Sequence, residues 1–377
     1  QVALASADQV DPDLIEMTPA SPDQQYSFVF DGNAQELDHI LIGQNLQPLV
    51  SGLQYGRSNS DFPESYRTDA NRPERLSDHD MPVAYFRFPA ETSVAVDNAA
   101  VTYGDSAQTV TLSATVTGAG STVNEGTVTF QVKDGAANVG SSVVSSPLTA
   151  GTASVVYSLP AGLAAKQYTI NASYSGGNSF NGSGGSGVLA VAKASTVTQV
   201  SSLPNPSAYG QVVTFTANVS SGSGTPDGSV SFFDGATLLG SQPLVGGGAS
   251  FTTAALTAGN HSITAAYAQS SNFVGSTSTV VLQTVNKAAT RTSVQAAVSN
   301  NKVLLTATVT VVTPGTGVPP GAVEFFNGPV SLGVAPLSNG TATLSVPKRA
   351  YLITAVYGET ANYNGSASDP LPFAPGK

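Results

Sequence analysis

Gly228-Ser229-Val230-Ser231-Phe232 decides how this chain folds. Its apolar side chains alternate with small polar ones, the period of a strand with one buried and one wet face. The run returns as Gly126-Thr127-Val128-Thr129-Phe130 and as Gly321-Ala322-Val323-Glu324-Phe325. Another alternating run precedes each copy, at residues 110–116, 213–219 and 303–309. After each copy, a strand closing on tyrosine follows, at residues 168–174, 261–267 and 351–357. Six residues past that tyrosine stands a second aromatic, Phe180, Phe273 or Tyr363, and then Gly-Ser at 182–183, 275–276 and 365–366. Tyr103-Gly104 and Tyr209-Gly210 open the first two units, whereas the third has Asn300-Asn301. A period of roughly 100 residues is too long for a solenoid repeat and suits whole sandwiches of about seven strands.

Composition agrees. Of 377 residues only 10% are charged, and Gly, Ser, Thr, Ala and Val fill the gap. β-Branched residues pack well on pleated sheets while Gly and Ser serve the turns. The chain has no cysteine, which excludes a disulfide framework and thiolate chemistry. An immunoglobulin-like sandwich without its inter-sheet disulfide points to a bacterial one. The net charge of −10 is uneven: residues 1–92 carry 15 acidic and 5 basic side chains, residues 93–377 carry 9 of each. The asymmetry marks a boundary near residue 92. With no basic patch to displace counterions, the charge argues against passive electrostatic binding to nucleic acid, although divalent metals could let an acidic site handle phosphates. No apolar run is long enough to span a membrane. The chain starts at Gln1 without an initiator methionine or signal peptide, so it is expected to be a processed product or a fragment.

Residues 1–92 hold the plausible chemistry. A helical turn is expected at residues 14–17, and residues 26–30 and 37–42 are expected to pair as a hairpin around Asp31-Gly32-Asn33. Residues 46–50 read as a short helix or strand, 56–76 as a long irregular loop and 83–88 as a closing strand. Two of the three histidines lie here, in Asp38-His39 and Asp78-His79. A histidine in a carboxylate-rich loop can serve as acid, base or charge stabiliser near neutral pH. A neighbouring carboxylate fixes its tautomer, and a second one is a hard oxygen ligand for Mg²⁺. The competing reading is a capped loop or a solvated surface, and Asp80 and Pro82 read as shaping the turn. His39, adjacent to Asp38 on a strand, faces the other side and reads as structural. Arg57, Arg67, Arg72 and Arg75 read mostly as partners of nearby carboxylates.

Together, Phe30-Asp31-Gly32, Leu37-Asp38-His39-Ile40-Leu41, Asp61-Phe62-Pro63-Glu64, Arg72-Pro73-Glu74-Arg75 and Ser77-Asp78-His79-Asp80 resemble the C-terminal end of the endonuclease/exonuclease/phosphatase superfamily, closest to extracellular bacterial nucleases. The resemblance implies a partial α/β-sandwich domain over 1–92 that uses Mg²⁺ or a similar divalent metal on a phosphoester, with nucleic acid as the favoured substrate. It implies His79 at the scissile phosphate, Asp38 as the carboxylate orienting it, and Asp78 as a metal-site carboxylate. The family's metal-binding Glu and Asn and its Asp-x-Asn pair have no counterpart in the chain. The fragment is therefore expected to be inactive alone, although its parent is an enzyme.

The repeats resemble tandem bacterial immunoglobulin-like domains of secreted and surface proteins, on the Tyr-Gly, Gly-x-Val-x-Phe and tyrosine–aromatic signatures. The expected architecture is mainly β: three tandem Ig-like β-sandwiches at 93–193, 194–287 and 288–377 behind the partial phosphoesterase domain. Lys193-Ala194 and Lys287-Ala288 are expected as short linkers, and His261 as a solvated turn residue. Two functions compete. One is a secreted nuclease carried on a stalk; the other is a surface adhesion or scaffold protein with a vestigial N-terminal segment. Either implies an extracellular or cell-surface location, with polysaccharide or surface contact expected through the repeats.

Overall fold

The computed structural model describes residues 14–17, 28–30, 33–35, 38–56, 59, 62–71 and 79–375. Alternation in the sequence becomes alternation in burial. Along Thr152–Leu159, for example, every second residue is buried. Each repeat is a two-sheet sandwich. In the first, strands Thr152–Leu159, Gln108–Gly118 and Thr92–Val96 form one sheet. Ala137–Val144, Val128–Asp134, Gln167–Tyr174, Ser183–Ala192 and Ala99–Thr102 form the other, in that spatial order. The last pair is parallel: Leu189 to Ala192 lie beside Ala99 to Thr102. The first strand thus starts in one sheet and crosses to the other, closing an otherwise bare edge.

The second repeat repeats this plan with a shorter crossing strand, Ser207–Ala208, parallel to Val285 and Asn286. The third departs from it. Thr290–Ser299 runs straight into Lys302–Val311 through a two-residue turn, and Asn300 and Asn301 both take left-handed backbone angles (φ 50° and 55°). Such a turn suits a tight hairpin, and asparagine tolerates it. No crossing strand remains there among the described residues.

The cores follow the sequence signatures. Phe130, Phe232 and Phe325 of the alternating runs are fully buried, as are Ile170, Ile263 and Ile353 of the tyrosine strands. The Gly-Ser pair also has a structural reason. Ser183, Ser276 and Ser366 hydrogen-bond Thr92, Thr196 and Thr290 of the opposite sheet at 2.6–2.7 Å. A Cβ on Gly182, Gly275 or Gly365 would stand about 3 Å from the carbonyl oxygen of Tyr174, Tyr267 or Tyr357.

The region before residue 92 differs from the expected α/β layer. Its described residues form three two-stranded antiparallel sheets and two 3₁₀ helices, Gln44–Leu49 and Glu64–Thr68, with no α-helix among them. The expected hairpin exchanges partners: Phe28–Phe30 pairs with Asn33–Gln35, and Leu41–Gly43 pairs with Leu14–Glu16. Leu14–Glu16 is accordingly a strand and not a helical turn. Phe30 lies opposite Asn33, so Asn33, expected in the turn, belongs to the second strand. Among the described residues here, Met17, Ile42 and Leu53 form one small buried cluster, far less than each sandwich buries.

Candidate functional site

Strand pairing sets the first site. Val50–Tyr55 lies antiparallel to Pro82–Phe86, with Tyr55 opposite Pro82. The buried Tyr55 donates its hydroxyl to the backbone carbonyl of Asp38 at 2.5 Å. His79, three residues before that second strand, then reaches the Asp38 carboxylate, with Nδ1 2.7 Å from Oδ2. Both side chains are about one third exposed. Neighbouring His39 points elsewhere and pairs with Glu16, as alternation on an extended chain requires. Asp80 is wholly buried and accepts the Asn59 N–H at 2.9 Å, while the Asn59 amide donates to the His79 carbonyl. Asp80 therefore ties the loop at Asn59 down behind His79.

A carboxylate on Nδ1 fixes the orientation and the tautomer of the imidazole ring. Asp78 and the side chains of the four arginines lie outside the described residues. Among the described residues no group of three or more histidine and carboxylate side chains could hold a metal ion.

His261 is a site that sequence reasoning missed. Instead of being solvated, its Nδ1 lies 2.6 Å from Asp234 Oδ2 and its Nε2 lies 2.8 Å from the Thr257 carbonyl oxygen. In the other repeats a tyrosine makes the corresponding bond back four residues, from Tyr168 to Ala164 and from Tyr351 to Pro347. His261 thus replaces the tyrosine of a tyrosine corner. Both ring nitrogens face acceptors, which favours imidazolium. Burial pulls the His261 pKa down, but the Thr257 carbonyl and the Asp234 carboxylate outweigh it and the net shift is upward.

The joints between repeats form the third constellation. The expected linkers are zipped into the fold. Ala194 N–H donates to Asn272 O and its carbonyl accepts from Val274; Ala288 bonds Asn362 and Asn364 in the same way. Both alanines are completely buried. Tyr103 of the first repeat meets Phe273 of the second edge-on, with centroids 5.2 Å apart at 75°. Tyr209 meets Tyr363 of the third at 5.2 Å and 78°. The side-chain amide of Asn272 accepts the Ala165 N–H at 3.0 Å, and that of Asn362 accepts the Ala258 N–H at 2.9 Å. The first joint adds Asp105, which accepts the Tyr103 hydroxyl and the Thr225 N–H. Both donors hold the Asp105 pKa below the ordinary carboxylate value, the hydroxyl most. In the second joint Thr316 donates its hydroxyl to the Gly210 carbonyl at 2.7 Å.

Residues 94–192, 200–286 and 289–374 each match the bacterial Ig-like domain (group 3). The chain belongs to that family. In this chain the Tyr-Gly opening of a bacterial Ig-like domain is joint chemistry: the buried Tyr103 and the partly buried Tyr209 each pack edge-on against the aromatic of the next repeat. Among solved structures, a tetra-tandem repeat from the extending region of a large adhesion protein is 16% identical, covering 75% of this chain and 74% of that one, with a TM-score of 0.40. The Escherichia coli adhesin FdeC is 15% identical over 76% of this chain and 99% of its own, with a TM-score of 0.28. The fibronectin(III)-like modules of Clostridium thermocellum CbhA are 19% identical over 47% and 91%, at 0.20. No curated protein matches the chain. No helix among the described residues is long and apolar enough to cross a membrane.

Proposed function

We propose that this chain is an extracellular spacer. Its bacterial Ig-like repeats hold the N-terminal segment at a fixed distance and direction from whatever the far end contacts. The observation that carries this reading is the recurrence of one joint design at both repeat boundaries: a zipped alanine, an edge-on aromatic pair and an asparagine cap. A chain that needed only a flexible tether would have no use for buried linkers. Small-angle scattering of the pure protein tests the reading. The repeats should scatter as one extended particle, and replacing Tyr103 and Tyr209 together by alanine should broaden the distance distribution. A broad, flexible distribution in the unaltered protein would overturn it.

A second reading concerns what the spacer carries. The 2.7 Å bond between Asp38 and His79 supports treating residues 1–92 as part of a phosphoesterase site, with nucleic acid as substrate. In that reading His79 lies at the scissile phosphate and Asp38 orients the ring. Asp78 is a metal-site carboxylate in the complete domain. A divalent metal, when bound there, neutralises charge on the phosphoryl oxygens. Alone the 377-residue chain is expected to be inactive, because the resemblance leaves the other metal-binding residues unaccounted for. Restoring an upstream half-domain should yield metal-dependent cleavage of DNA or RNA that His79→Ala or Asp38→Ala removes. Robust metal-dependent cleavage by the present chain would refute the expectation that it is inactive alone.

A further inference from the structure

One peptide group in each of the first two repeats is gripped from both sides. In the first repeat the Ala164 carbonyl accepts the Tyr168 hydroxyl at 2.9 Å, and the Ala165 N–H of the same peptide donates across the joint to Asn272 at 3.0 Å. In the second repeat the Thr257 carbonyl oxygen lies 2.8 Å from His261 Nε2, and the Ala258 N–H of the same peptide donates to Asn362 of the third repeat at 2.9 Å. The carbonyl and N–H of a peptide share one rigid plane, so neither end turns without the other. A bond to the carbonyl also polarises the N–H toward its own acceptor. Whatever grips the carbonyl therefore bears on the joint. In the first repeat the grip is a phenol whose pKa burial pushes above its ordinary value, so it keeps its proton across the neutral range. In the second it is an imidazole, whose charge changes between about pH 5 and pH 8 in ordinary surroundings.

Imidazolium has two N–H donors and satisfies Asp234 and Thr257 together; neutral imidazole has one. The Asp234 carboxylate, 2.6 Å from Nδ1, is the stronger acceptor and keeps it. The Nε2 lone pair is then left against the Thr257 oxygen. Two acceptors at that distance repel, so the carbonyl turns away and the Ala258 N–H swings off Asn362. Asp234 is the charged group that acts on the ring, and its other oxygen accepts the Ser262 N–H. Gln283, opposite His261 on the neighbouring strand, and Asn362, across the joint, are neutral. Lys287 and Glu359 of the same joint are paired with each other, and the rings of Tyr209 and Tyr363 pack together.

We infer that the Thr257–Ala258 peptide is a proton-controlled latch on the second joint, closed while His261 is imidazolium and open when it is neutral. The inference rests on the spacer reading of the joints. The zip through Ala288 and the ring pair survive the opening, so the joint slackens and does not come apart. The first joint has no such control in the neutral range, because Tyr168 holds the matching peptide and Asp105 titrates below the ordinary carboxylate value. The spacer is thus stiff throughout in mild acid and bends at one chosen joint as pH rises.

Two readings on the full chain between about pH 5.5 and pH 9 test the latch. The first is hydrogen exchange of the Ala258 and Ala165 amides, corrected for the intrinsic effect of pH. Protection of Ala258 should fall about fivefold as pH rises while that of Ala165 holds. The second is single-molecule energy transfer between dyes on introduced cysteines, since the chain has none of its own. The exposed pair Val245→Cys and Val330→Cys spans the second joint, and Val156→Cys with Val245→Cys spans the first. The distance distribution should broaden with pH across the second joint only. His261→Tyr should keep that joint closed over the whole range. Asp234→Asn, an exchange the third repeat already carries as Asn327, should move the opening to lower pH. Constant Ala258 protection and a constant second-joint distribution overturn the latch and leave the spacer reading intact. A second joint flexible at every pH overturns both, and equal loss at Ala165 and Ala258 overturns the assignment to His261.

Discussion

At the scale of single residues, the histidine that reads as incidental carries a definite pH dependence. His261 has its folded pKa above its unfolded value. Its contribution to the second repeat is therefore complete below about pH 6.5 and lost as pH rises through the folded pKa. Melting of the second repeat should fall as pH rises above about 6.5 and through the folded pKa, and His261→Tyr, which restores the corner of the other repeats, should flatten that profile. Asp105 has the opposite sign. Its depressed pKa makes the first joint's clasp present above the ordinary carboxylate range and lost on acidification. Chemical-shift titration of the two side chains checks both directions. Asn272→Ala and Asn362→Ala should each weaken their joint by about 1 kcal/mol, measured as the loss of coupling between adjacent repeats on unfolding.

At the scale of elements, the repeats were legible because alternation, tyrosine spacing and Gly-Ser recur three times and each recurrence states the same burial. Phe325→Ala, in a fully buried position, should cost the third repeat about 3–5 kcal/mol by denaturant unfolding. Gly275→Ala should cost about 1–3 kcal/mol, because its methyl meets the backbone of Tyr267. Legibility failed where one residue has partners that sequence cannot locate. The Asp234–His261–Thr257 chain and the caps from Asn272 and Asn362 join residues brought together only by the fold. In the N-terminal region the Asp38–His79 pairing followed from a resemblance in short motifs, and its partners stand 41 residues apart. The strand partners of Leu41–Gly43 were misread because short apolar runs carry no register information. The zipped alanines were unreadable for a different reason: a Lys-Ala step looks like any linker until Phe273 or Tyr363 closes over it.

At the scale of the whole molecule, the parallel strand pairs have a mechanical consequence. Pulling a repeat by its two ends draws the crossing strand and the last strand apart along their lengths, because they run side by side in the same direction. Bonds loaded that way share the force and must break together, whereas bonds at a peeling end break one at a time. The first repeat has four residue pairs in this patch, the second has two, and the third has none among the described residues. In a single-molecule stretching experiment the third repeat should yield at the lowest force, then the second, then the first. Under rising load the rod would lengthen from one end first, absorbing work at its C-terminal end while the repeat next to the acidic segment keeps its fold.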